Sequence, residues 1–122
     1  MLVKKIFKIL CLFSILFFRC SLFENPDLSV EFDWNQRTAY LNPGGWLYGG
    51  VDIDYIFENT GNVDLSDYEV VFEVLFDGGI KESDKVIGYN LAQGDKNSGT
   101  LLIYSPNKIA KSVYVKDKSF SK

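Results

Sequence analysis

The chain has 122 residues with 16 acidic and 13 basic side chains, no histidine and two cysteines. The missing histidine removes Ser-His-Asp and Cys-His catalysis and histidine-ligated metals. Both cysteines fall within the first twenty residues, so nothing beyond them can form a disulfide framework, and the acidic balance argues against nucleic acid as a partner.

The chain opens with Lys4, Lys5 and Lys8, then the apolar run Ile9–Phe18, then Arg19 and Cys20. A positive start, a short apolar stretch and a cysteine at its end form the layout of an export signal, and the run is shorter than the roughly 20 residues a membrane span needs. Leu16-Phe17-Phe18-Arg19-Cys20 resembles the lipobox of bacterial lipoproteins, although Arg19 stands where that family has a small residue. The resemblance implies a lipid on Cys20, cleavage before it, and a periplasmic or surface-exposed protein held to the membrane of a bacterial envelope. An uncleaved signal anchor, and a soluble exported or unprocessed form, are the other readings. Two acyl signals on one residue would suffice for stable anchoring. On this reading residues 1–19 are the signal peptide, 20–27 a polar tether, 28–118 one β-sandwich domain and 119–122 a disordered tail.

Removal of the leader takes four basic residues and no acid, leaving nine bases against 16 acids. They are unevenly spread. Glu24 to Asp77 holds twelve acids and only Arg37 as a base, whereas Gly78 to Lys122 holds eight lysines and four acids. A solvated surface explains this, as does a lysine-rich last strand lying beside acidic strands.

Leu28 to Trp34 alternates strictly and predicts a first strand, with Trp34 on the apolar parity. Asn42-Pro43-Gly44-Gly45 is a turn in which Gly44 is expected to supply φ > 0. Val51, Ile53, Tyr55 and Phe57 alternate with Asp52, Asp54, Ile56 and Glu58, which gives the strongest strand signal in the chain. After Asn59-Thr60-Gly61-Asn62 the period returns, with Tyr68, Val70, Phe72, Val74 and Phe76 on one face. Such runs are either antiparallel neighbours or facing strands of a sandwich. Further strands are expected at Lys85–Tyr89, Gly99–Ser105 and Ile109–Asp117, separated by Gly- and Pro-containing turns. The sum is an all-β chain, an antiparallel sandwich of about six or seven strands.

Tyr55-Ile56-Phe57-Glu58-Asn59-Thr60-Gly61, then Leu65-Ser66-Asp67-Tyr68-Glu69-Val70 and Phe72-Glu73-Val74-Leu75-Phe76-Asp77-Gly78-Gly79, resemble the immunoglobulin-like domains of bacterial envelope proteins of the FxLYD and CARDB type. Gln93 departs from that pattern, where proline is usual. The resemblance covers about half of the chain. It implies an immunoglobulin-like sandwich serving adhesion, assembly or spacing, and it carries over no catalytic residue. From the residues alone, Gly61 and Gly78 are expected to permit φ > 0, and Asn59 to bond its own loop.

The candidate sites are few. Trp34, Tyr40, Trp46 and Tyr48 crowd the first strand and the loop after it. Exposed, Trp46, Tyr48 and Tyr40 could stack on a sugar ring or anchor a protein partner, whereas buried they would plug the end of the sandwich, the reading favoured for Trp34 and left open for Trp46. Asp52 and Asp54 share a strand face, with Glu58 further along, and could serve acid–base chemistry or take a hard cation, but a flat strand face supplies few of the six to eight oxygens Ca²⁺ requires. A solvated outer face is the favoured reading of that pair. No cofactor, nucleophile–base pair or phosphate loop is expected. The expected function is that of a non-enzymatic, lipid-anchored envelope module that binds a protein, with a carbohydrate-binding module as the alternative.

Overall fold

The two alternating runs form facing strands in different sheets. A computed structural model describes residues 23–41 and 44–122, without the side chains of residues 39–41, 46 and 48. Cys20, the leader, and residues 21 and 22 of the expected tether lie outside the described residues. Six strands follow in order: β1 (Leu28–Leu41), β2 (Gly45–Asn59), β3 (Leu65–Phe76), β4 (Lys81–Leu91), β5 (Lys96–Ile103) and β6 (Ala110–Ser121). They make two three-stranded antiparallel sheets, ordered β1-β2-β5 and β4-β3-β6. The fold is an all-β sandwich. The only helical turn described is the short 3₁₀ segment Asp77–Gly79 between β3 and β4.

Parity selects the core. Val51, Ile53 and Phe57 of β2 face Val70, Phe72, Val74 and Phe76 of β3, all fully buried. Phe32 meets Phe72 edge-on with ring centroids 5.4 Å apart. Val30, Phe32 and Trp34 of β1 pack on the same core from its flank. Burial of this kind is why truncating Phe72 to alanine would cost about 3–5 kcal/mol.

Both sheets repeat one device at an edge strand. Tyr55 lies directly opposite Gly99 on β5, and Tyr68 directly opposite Gly88 on β4. A methyl group at either glycine would overlap the facing tyrosine ring. Each ring therefore spreads over the bare backbone of the edge strand, an aromatic rescue of an edge glycine. Asn97 Nδ2 donates to Tyr68 Oη (2.6 Å), which ties the second sheet to β5 of the first.

Several boundaries differ from those read in the sequence. β1 and β2 are longer and join as a hairpin, β4 begins at Lys81, and β5 begins at Lys96. β6 runs to Ser121, so residues 119–121 are strand rather than disordered tail, with Phe120 paired to Tyr68. In the β1–β2 turn Gly45 takes a left-handed φ of 81°, and Gly78 (77°) does so after β3 as expected. Gly61 does not; it is needed for a different reason, described below.

Candidate functional site

Beyond the pairing of Val51 with Ile103, β2 loses its neighbour β5, and β1 and β2 continue alone as a two-stranded ribbon to Leu41 and Gly45. Gly50, with φ of 108°, sits so close to the backbone of Ile103 and Tyr104 that no Cβ would fit. A register shift between Gln36 and Thr38 turns β1 at the same level. Its cause is visible in Gln36, whose amide donates to Gly50 O (2.9 Å) and Lys108 O (3.4 Å) while its carbonyl accepts from Ala110 N (2.6 Å). One side chain thus links β1, β2 and the start of β6. Arg37, carried outward by this bulge, donates from Nε to Asp52 Oδ2 at 2.8 Å.

An open groove of about 690 Å³ lies at the root of the ribbon, lined by Gln36, Arg37, Thr38, Leu47, Gly49, Leu102 and Tyr104. Leu47 is 39% exposed, Leu102 40% and Tyr104 64%. The sequence-predicted aromatics are on the ribbon itself: Tyr40 pairs with Trp46, and Tyr48 with Thr38. Their side chains lie outside the described residues. Leu102 and Tyr104, within the strand expected at Gly99–Ser105, are not among the candidate site residues that the sequence singles out. Their signal was available only as position: Leu102 is on the solvent parity of β5, and Tyr104 lies just past its end.

Asp52 and Asp54 do not act as a pair. Asp52 is held by Arg37, with its second oxygen, Oδ1, left without a hydrogen-bond partner. Asp54 accepts from Thr100 Oγ1 at 2.6 Å, and Glu58 meets Lys96 at 3.9 Å. A shallow open groove of about 530 Å³ runs across this face beside Glu31, Asp33 and Asp54. Among the described residues no three His, Cys, Asp or Glu side chains converge as a metal site.

The outer face of the second sheet holds a tight charged cluster that the sequence reading did not single out. Glu73, on the outward parity of β3, is only 6% exposed because three neighbours cover it. Tyr114 Oη donates a hydrogen bond to its carboxylate, Lys116 Nζ lies at 3.2 Å and Lys81 Nζ at 4.0 Å. The Tyr114 bond, then Lys116, hold the Glu73 carboxyl below its usual range, and the same bond raises Tyr114. With lysines on both flanks of β3, the charges on this sheet are complementary, as one of the sequence readings held for β6. Among the described residues, the ion pairs of first-sheet acids are with Arg37 and Lys96 of that same sheet.

At the opposite end from the ribbon, the segment expected to be a tether is bonded to the β2–β3 loop. Asn62 accepts from Asn25 N (2.6 Å) and donates from Nδ2 to Phe23 O (2.7 Å) and from its backbone N to Asn25 O (3.2 Å). Thr60 Oγ1 donates to Asp27 Oδ2 (3.0 Å), and Lys122 pairs with Glu24. A Cβ on Gly61 would overlap Asn25 O and the backbone N of Asp27, so glycine is required here by close approach rather than by φ. Asn59, fully buried beneath, accepts from Gly61 N and donates to Val63 O (2.9 Å) and Leu91 O (3.0 Å).

The chain matches no family model, no curated protein sequence and no solved structure. Its described surface offers two open, partly apolar grooves, on the outer face of the first sheet and at the root of the ribbon.

Proposed function

We propose that the protein is an exported module, anchored through a lipid on Cys20, that binds another envelope or extracellular protein and performs no catalysis of its own. The groove at the root of the ribbon carries this reading: Leu47, Leu102 and Tyr104 stay partly exposed around Arg37. Tyr104 and Arg37 are of the residue types that dominate protein hot spots, and Leu47 and Leu102 supply apolar surface around them. The leader and Cys20 support the anchor, the two-sheet strand order is compatible with an immunoglobulin-like sandwich, and the FxLYD or CARDB type rests on the sequence resemblance over Tyr55–Gly79 alone.

Site-specific photo-crosslinking from position 104 in living cells tests the binding role. The expected result is a discrete protein adduct that disappears in Leu102→Asp, with thermal stability unchanged. Absence of any adduct, together with glycan binding that Trp46→Ala abolishes, would replace this reading with the carbohydrate-binding one. That second reading is favoured by Tyr40, Trp46 and Tyr48 sharing the ribbon. Metabolic labelling with a palmitate analogue tests the anchor: native protein takes the label and Cys20→Ala does not.

A further inference from the structure

We infer that Phe23–Asp27 is a clamped neck, and that it fixes the pose of the sandwich on a membrane, with the β2–β3 loop toward the bilayer and the ribbon groove facing away from it. The pose rests on the lipid anchor proposed above; the clamp does not.

A polar linker of seven residues would let its cargo wander over about 15 Å in any direction. Phe23–Asp27 lacks that freedom. Asn62 alone makes three hydrogen bonds to its backbone, Thr60 holds Asp27, and Lys122 holds Glu24. Gly61 lets the neck lie directly against the loop backbone. Only Ser21 and Leu22 separate Phe23 from Cys20, a reach of about 10 Å when fully extended. A lipid on Cys20 would therefore hold one end of the sandwich, rather than its side, close to the headgroups.

The strands convert that short leash into a direction. β1 leaves the neck at Leu28 and runs 14 residues to Leu41, about 45 Å at the usual rise per residue. Gln36 and Arg37, beside the groove, lie about 30 Å along the same path. Asp27 and Asp64 lie at the neck end beside the Glu24–Lys122 pair, while Phe23, 72% exposed, is the apolar side chain placed to touch the lipid interface. The groove is thereby held clear of the membrane and open to a partner approaching from the far side.

The test uses the full lipidated protein in phosphatidylethanolamine–phosphatidylglycerol vesicles containing acceptor-labelled lipid. A donor dye is placed either on Gln93→Cys, at the neck end, or on Gly44→Cys, at the ribbon tip. The pose predicts energy transfer severalfold stronger from position 93 than from position 44, and a difference that shrinks in Asn62→Ala. In the same variant the Asn25 amide should exchange its hydrogen at least about tenfold faster, having lost its acceptor. Gly61→Ala should act in the same direction. Equal transfer from both dyes in the native protein overturns the pose, and unchanged Asn25 exchange in Asn62→Ala overturns the clamp. Failure of the protein to float with vesicles refutes the anchor instead, and the exchange measurement still decides the clamp.

Discussion

Asn59 shows how much of this fold one side chain can organise. Its amide satisfies two carbonyls from different loops, Val63 and Leu91, and its oxygen closes the turn on Gly61. Asn59→Ala would leave those groups without partners in a fully buried position, a loss of about 2–4 kcal/mol read by urea denaturation. Half of this was legible: an Asn two residues before a Gly announces a bond within its own loop. The bond to Leu91 was not, because that residue comes alongside only after β3 and β4 have formed. Glu73 was hidden for a related reason. Its outward parity predicts a solvated carboxylate, and only the arrival of Tyr114 from β6 and the lysines of both edge strands covers it. Its lowered folded pKa stabilises the native state above the ordinary carboxyl range, and this contribution is lost as pH falls through the folded value. Tyr114 is raised, so its contribution is present below pH 10 and lost as pH rises beyond. Glu73→Gln should therefore narrow its stability difference from native at the acid end, in denaturation curves recorded as a function of pH.

At the scale of elements, the central strands announced themselves and the edges did not. β2 and β3 each bury one full face, so apolar residues recur at every second position over eight or more residues. β4 and β6 place charges in core register instead. Asp84 pairs with Phe72, Glu82 with Val74 and Lys118 with Val70. Charges pointing inward on edge strands discourage pairing with foreign strands, and they also erase the alternation by which a strand is recognised. The missed start of β4 and the end of β6 follow from this. Lys118 reaches across the open side of the sandwich to Leu28 O (2.6 Å), and Phe120 packs against the core. Removal of residues 118–122 should therefore lower stability by about 2–3 kcal/mol in denaturant titrations, the order of one partly buried aromatic plus a hydrogen bond. A tail without structure could be removed at no cost.

For the whole molecule, charge is arranged differently on the two outer faces. The second sheet interleaves acids and lysines, with Glu69 beside Lys85 and Glu73 beside Lys116. On the first sheet Asp33 stands directly opposite Asp54, and neither has an ion pair among the described residues. Asp33→Asn should raise stability by about 0.2–1 kcal/mol, an effect that fades as salt is added. Asp33 does not line the ribbon groove, so photo-crosslinking from position 104 should persist in that variant.

Two sheets with β2 and β3 facing each other set the core, the open edges, the ribbon and the clamped neck alike. Nuclear Overhauser contacts in the folded protein address that arrangement directly. Backbone Hα contacts are predicted between β2 and β5 and between β3 and β6, with ring contacts joining Phe57 to Phe72 (centroids 6.4 Å apart) and no backbone Hα contacts between β2 and β3. Backbone contacts that zip β2 and β3 together as one hairpin would contradict it.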